Sequence, residues 1–141
     1  MRAEEAAGND SLRKHFSGRV FSGSGEASHF TGLPWFREFV HSKFGLDVYP
    51  GTLNLKATSE RDVSVLESLR SSPAEFILDS PDPLYCSARL FKAHVRGANA
   101  AVVVPKIENY PKDVCELVSN LNLREKLSLL DGELLEVAIE A

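Results

Sequence analysis

Leu84-Tyr85-Cys86-Ser87-Ala88-Arg89-Leu90-Phe91-Lys92-Ala93-His94-Val95-Arg96 is the stretch that decides the fold. Cys86, Ala88 and Leu90 alternate in one phase, and Phe91, Ala93 and Val95 alternate in the other. Alternation with a period of two marks a strand. The change of phase at Leu90-Phe91 predicts a β-bulge, the device that bends a long strand around a small barrel. Downstream, Gly97-Ala98-Asn99 turns the chain into Ala101–Val104, a short apolar run that reads as a buried strand ending at Pro105. Upstream, Asp79-Ser80-Pro81-Asp82-Pro83 is a turn, and residues 75–78 read as the strand before it.

The rest of the chain fits around this pair. Residues 1–17 are polar and mixed in charge, and are expected to form a flexible N-terminal arm. Gly18 to Ser22 reads as a short strand around Val20. Pro34 opens a helix at a position where proline is tolerated. Trp35, Phe36, Phe39, Val40 and Phe44 form its apolar stripe, and Gly45 ends it. Residues 59–72 are either a short helix or an irregular loop. Tyr110-Pro111-Lys112-Asp113 is expected to start a helix whose apolar face is Val114, Leu117, Val118 and Leu121, with Glu116 on the opposite face. Residues 121–126 are a short loop or helical turn. Asp131-Gly132 leads into a last strand with Leu135, Val137 and Ile139 inward. About six short strands with two or three helices between them do not follow a βαβ rhythm. The class is mainly β with α insertions, a small barrel over residues 18–141.

Composition narrows the function. A chain of 141 residues fits one domain. Twenty acidic against sixteen basic residues give a net charge of −4, which argues against a nucleic-acid coat or an anionic membrane surface. Cys86 and Cys115 lie far apart and belong to no CxxC pattern; they read as reduced core thiols of a cytoplasmic protein. No apolar run is long enough to span a membrane, and the N-terminus lacks the apolar segment of a signal peptide.

Two stretches carry candidate chemistry. Gly23-Ser24-Gly25-Glu26-Ala27-Ser28 is a loop whose backbone N–H groups can approach an anion closely. A flexible hairpin loop is the plainer reading. In Tyr49-Pro50-Gly51-Thr52-Leu53-Asn54-Leu55-Lys56 a tight turn is followed by strand alternation. Thr52 and Asn54 then share one face, opposite the leucines. Two neutral oxygen ligands suit a Mg²⁺ that arrives with an anionic partner such as a polyphosphate. An ordinary polar strand face is the alternative, as a solvated helix carboxylate is for Glu116.

Taken in order, Gly23-Ser24-Gly25-Glu26 with Phe30, Pro50-Gly51-Thr52-Leu53-Asn54-Leu55, Val103-Val104-Pro105, Leu123-Arg124 and Asp131-Gly132 resemble the CTP-dependent riboflavin kinases best known from archaea. The resemblance runs from about Gly18 to Ile139. It implies a six-stranded cradle-loop β-barrel that transfers the γ-phosphoryl group of CTP to the 5′-hydroxyl of riboflavin, giving FMN and CDP. By the same resemblance, residues Gly23, Ser24, Gly25, Glu26, Ala27 and Ser28 would hold the nucleotide. Leu121, Asn122, Leu123 and Arg124 would close its pocket from the other side. Thr52 and Asn54 would ligate Mg²⁺, and Glu116 and Glu108 would face the flavin. Either Glu116 or Glu26 would orient the acceptor hydroxyl or take its proton. The protein is expected to act as a monomer.

This chain departs from the family pattern at three places. Ala27 stands where the family has glycine, which restricts the loop if that position needs a positive φ. Ser28 replaces a basic residue, whose charge His29 or Lys106 would have to supply. Glu108 replaces a threonine and, when ionised, accepts but does not donate a hydrogen bond. These departures motivate a second reading, a non-catalytic nucleotide- or flavin-binding module on the same fold. A DNA-binding or structural barrel is a third, and the acidic balance weighs against it.

Overall fold

The computed structural model describes residues 13–23, 26–74 and 76–140. Seven strands are present among them: β1 (Arg13–Phe21), β2 (Leu53–Lys56), β3 (Phe76–Leu78), β4 (Ala88–Val95), β5 (Ala98–Pro105), β6 (Val114–Val118) and β7 (Leu134–Glu140). They hydrogen-bond in the order β3-β4-β5-β6-β2-β1-β7, and β4 also pairs with β7. Six strands therefore close into an antiparallel barrel, with β3 as a flap on the edge of β4. The seam between β4 and β7 is short, with Ala93 opposite Ile139 and His94 opposite Ala138.

The decisive stretch behaves differently from expectation. β4 and β5 stay in continuous register from Ala88 opposite Pro105 to Val95 opposite Ala98, so there is no bulge at Leu90-Phe91. What changes there is the buried face. Ala88 and Leu90 point outward and are covered, together with Ala101, Val103 and Val118, by a second apolar layer. Phe91, Ala93 and Val95 point into the barrel, with Phe16, Leu55, Val137 and Ile139. A strand that serves two cores in succession produces a phase slip with no extra residue. The strand's free edge changes partner instead, from β3 over Ala88–Leu90 to β7 over Ala93 and His94. The β4–β5 connection is a two-residue turn with Arg96 at φ 46° and Gly97 at φ 81°, the twist that tight hairpins favour.

The outer layer is built by a 3-10 turn (Glu26–Phe30) and helix α1 (Pro34–Phe44). Phe36 and Val40 are buried under α1, and the Phe30 and Phe36 rings stack with centroids 5.4 Å apart. The aromatic stripe is thus core. Gly45, at φ 71°, ends α1 in the left-handed conformation that glycine adopts without strain.

Helix α2 (Glu60–Ser71) settles the segment left open between helix and loop. Ser59 caps it, its Oγ accepting from the Asp62 N–H at 3.0 Å. The Asp62 carboxylate in turn accepts from the Ser59 hydroxyl at 2.6 Å and from the Ser17 N–H of β1 at 3.1 Å. The Ser59 bond first, with Ser17 and Arg61 adding, holds the Asp62 carboxyl below its ordinary value of 3.8. A depressed carboxylate gives stability that is complete above the unfolded value and is lost as pH falls through the folded one. Wild-type stability is therefore expected to decline as pH drops below about 3.8. Urea midpoints for Asp62→Asn across this range should show a shallower decline, and identical slopes would remove Asp62 from the account.

Two boundaries move. β1 begins at Arg13 and pairs with β7 from Arg13 opposite Glu140 onward, so residues 13–17 belong to the barrel and not to an arm. Residues 1–12 lie outside those described. The larger correction concerns residues 114–118. They form strand β6 between β2 and β5, not a helix. Val114, Leu117, Val118 and Leu121 fit helical spacing, but Cys115 and Leu117 also alternate into the barrel, and valine at both ends favours a strand.

Gly18 lies where β1 leaves no room for a side chain against β2. A Cβ there would lie 3.1 Å from the Leu55 Cβ and 3.3 Å from the Lys56 backbone. Gly18→Ala is expected to cost about 1–3 kcal/mol by overpacking, read as a lower urea midpoint at unchanged m-value.

Candidate active site

Asn54 and Glu116 sit directly opposite each other on β2 and β6, and Val103 of β5 flanks Glu116 on its other side. Their neighbours Leu53, Leu55, Cys115 and Leu117 point into the barrel, so Asn54 and Glu116 point outward. They are nevertheless buried, Asn54 at 3% and Glu116 at 1% exposure, with Glu116 bonded to the 3-10 turn through Ala27 and Asn54 to Gly23 just before it. Outward polar positions on a covered sheet need partners, and both have them.

The Thr52 hydroxyl donates to Asn54 Oδ1 at 2.8 Å, so the two candidate metal ligands share one side. Asn54 Nδ2 donates to the Gly23 carbonyl at 2.6 Å, tying the strand to the glycine-containing loop. Thr52 Oγ1 also lies 3.5 Å from Glu116 Oε1. The Ala27 N–H donates to both Glu116 oxygens, at 3.0 and 3.1 Å. The Tyr110 hydroxyl donates to Glu116 Oε2. Burial first, and then the Glu116 carboxylate, push the Tyr110 phenol far above its usual range, so it remains a donor. Burial likewise raises Cys115, whose thiol is an inert core group.

A cleft of about 300 Å³ opens beside this network. Gly23, Thr52 and Asn54 line one part of it, and Asn122, Leu123 and Arg124 another. Leu121 lines it too, at 38% exposure, as does Tyr49. The short helix α3 (Leu123–Lys126) presents Arg124 there, and Asn122 caps that helix by accepting from the Glu125 N–H at 3.1 Å. Arg124 is anchored by Asp131 at 2.5 Å and by the Ser22 hydroxyl at 3.0 Å. The Arg124 bonds first, and Ser22 second, hold the Asp131 carboxyl below its ordinary range.

Seven of the residues singled out in the sequence thus line one cleft. Ser24 and Gly25 lie outside the described residues, as does the Glu26 side chain. Ala27 is fully buried and does not line the cleft. It is not among the described residues with positive φ, so this position does not demand glycine. The Ser28 carbonyl accepts from the Thr31 hydroxyl at 2.9 Å. Glu108 lines a second pocket of about 370 Å³ with Arg70, Arg89, Ile107 and Lys106. Lys106 therefore stands with Glu108 and not in the Arg124 cleft. Glu116 lines neither cavity, being buried and hydrogen-bonded rather than solvated.

Tyr110, Ser22 and Asp131 were not singled out from the sequence. Tyr110 was read as a helix start, which hid its hydroxyl. Asp131-Gly132 reads as a turn and as part of the family resemblance, with no role for its side chain, yet the Asp131 carboxylate is what aims Arg124.

A family model labelled CTP-dep_RFKase, and described as a domain of unknown function, DUF120, matches residues 20–139. The chain belongs to the CTP-dependent riboflavin kinase family. Among curated relatives, the riboflavin kinase of Archaeoglobus fulgidus is 35% identical over 124 residues, covering 86% of this chain and 53% of its own length. That of Pyrobaculum islandicum is 36% identical over 130 residues, covering 91% and 61%. That of Pyrobaculum aerophilum is 35% identical over 124 residues, covering 86% and 59%. The chain therefore spans between half and two thirds of these relatives. The family match runs from Val20, near the end of β1, to Ile139, inside β7, so it takes in β2 to β6 whole, all but the last residue of β7 and only the last two residues of β1. No helix among the described residues is long and apolar enough to cross a membrane.

Proposed function

We propose that the protein is a CTP-dependent riboflavin kinase, transferring the γ-phosphoryl group of CTP to the riboflavin 5′-hydroxyl. The observation that carries this reading is the convergence of Gly23, Thr52, Asn54 and Arg124 on one cleft. Phosphoryl transfer asks a protein for alignment and charge neutralisation rather than covalent chemistry. Arg124, already oriented by Asp131, supplies fixed positive charge toward the phosphates.

Mg²⁺ fits the donor set. Among the described residues no group of three or more His, Cys, Asp or Glu side chains is placed to hold a metal. Thr52 and Asn54 offer two neutral oxygens 2.8 Å apart, a pair that suits a metal brought in on a nucleotide. Bound there, the ion would neutralise charge on the transferring phosphoryl group. The backbone of the 23–28 loop and residues 121–124 would enclose the nucleotide. Glu108 and its pocket would receive the flavin, with Glu116 between donor and acceptor. Glu116 or Glu26 would orient the acceptor hydroxyl.

The experiment is direct. Incubation with riboflavin, Mg²⁺ and each of the four ribonucleoside triphosphates should yield FMN with CTP and little with ATP. Mg²⁺-dependent CDP binding with no FMN from any triphosphate would select the non-catalytic module, the reading that Ser28 and Glu108 favour.

A further inference from the structure

We infer that Tyr110 is a positioning residue, whose hydroxyl clamps the Glu116 carboxylate and through it sets both the loop at Ala27 and the Thr52 hydroxyl. The part of this that concerns nucleotide rests on the kinase reading.

The chain of contacts is continuous. Arg70 of α2 donates to the Tyr110 carbonyl, and its guanidinium carbon lies 5.5 Å from the centre of the Tyr110 ring. Tyr110 follows Asn109, whose φ of 68° turns the backbone, and its own N–H bonds to the Ile107 carbonyl at 3.3 Å. The ring is thus held from the Glu108 pocket, which Arg70 also lines. Its hydroxyl reaches Glu116 Oε2, the same oxygen that accepts from Ala27 at 3.1 Å. The other oxygen accepts from Ala27 at 3.0 Å and faces Thr52 Oγ1 at 3.5 Å.

A buried carboxylate can rotate about its last torsion, which is soft. With Tyr110 bonded to Oε2, that rotation is stopped. Oε1 then stays toward Thr52 and stands ready to accept its hydrogen bond. Thr52 donates to Asn54 Oδ1 in this structure. Were Thr52 and Asn54 to turn their oxygens to a common ligand, the Thr52 hydroxyl would need another acceptor, and Glu116 Oε1 is the one in reach. Tyr110 therefore prepares the Thr52–Asn54 pair without touching it. It also fixes the first turn after the loop, since the Ala27 N–H is held by both Glu116 oxygens.

The test is Tyr110→Phe, which keeps the ring beneath Arg70 and deletes only the hydroxyl. Amide hydrogen exchange is read at Ala27 and, as a reference, at Val137 in the β1–β7 ladder. Exchange at Ala27 should accelerate roughly tenfold more than at Val137, the scale of one hydrogen bond to a charged group. CDP affinity in the presence of Mg²⁺ should weaken by a similar factor, while CDP affinity without the metal changes less. A second variant, Glu116→Ala, which leaves no acceptor, should release Ala27 in the same way. Equal acceleration at both amides would reduce Tyr110 to a general packing residue and overturn the inference, as would unaltered metal-dependent CDP affinity in a folded Tyr110→Phe protein. Failure of the wild type to bind CDP would sink the kinase reading instead, and the exchange comparison would still decide whether the clamp exists.

Discussion

Alanine at Asn54 is expected to lower the rate of FMN formation by about 100- to 1,000-fold, the loss typical of removing one group that stabilises developing charge. Asn54 does two things at once. Its Oδ1 stands beside the Thr52 hydroxyl as half of the proposed metal pair, and its Nδ2 holds the Gly23 carbonyl at 2.6 Å. The two losses separate by measurement. Thr52→Ala removes a metal donor but leaves the Asn54–Gly23 bond in place. If metal binding dominates, both variants should need far more Mg²⁺ for half-maximal rate. If loop anchoring dominates, only Asn54→Ala should be severe. Wild-type turnover in both variants would dismiss the metal assignment.

Glu116→Ala should produce the largest loss of stability of any single change around the site. The substitution leaves the Ala27 N–H and the Tyr110 hydroxyl without their acceptor in a buried place. Each stranded donor costs about 1–3 kcal/mol, so the two together cost about 2–6 kcal/mol. That is a large share of the margin of a domain this size. Denaturant unfolding should register it as a lower midpoint. A shift below about 1 kcal/mol would mean that water reaches these donors and that the 3-10 turn lies less tightly over β6 than the structure has it.

The kind of fold was legible in the chain because strand alternation is a local signal. Leu135, Val137 and Ile139 all point inward as their spacing requires, and Pro34 and Gly45 bracket α1. Two things were not legible, for one shared reason. The phase slip at Leu90-Phe91 and the spacing of Val114, Leu117 and Val118 each have two solutions that differ only in what covers the outer face. A sequence does not reveal that a turn and a helix from residues 26–44 lie over β4, β5 and β6. That same cover turns Glu116 from a solvated carboxylate into a buried one. The candidate site was legible where residues converge through short-range geometry, as Thr52 and Asn54 do across one intervening residue. It was hidden where a partner comes from far along the chain, as the Ala27 N–H does for Glu116 and the Ser22 hydroxyl for Arg124.

The two-residue seam between β4 and β7 has a consequence for how such a chain is made. Of the described strands β7 is made after the other six, yet it must bond to β1, made before them, and to β4 from the middle. Until it emerges, the long edge of β1 and the short free edge of β4 stay open, so a nascent chain can gather its hairpin and helices but cannot shut the ring. Closure is a late event that joins distant parts of the chain, which favours slow folding and a window in which the unfinished sheet needs protection from its neighbours.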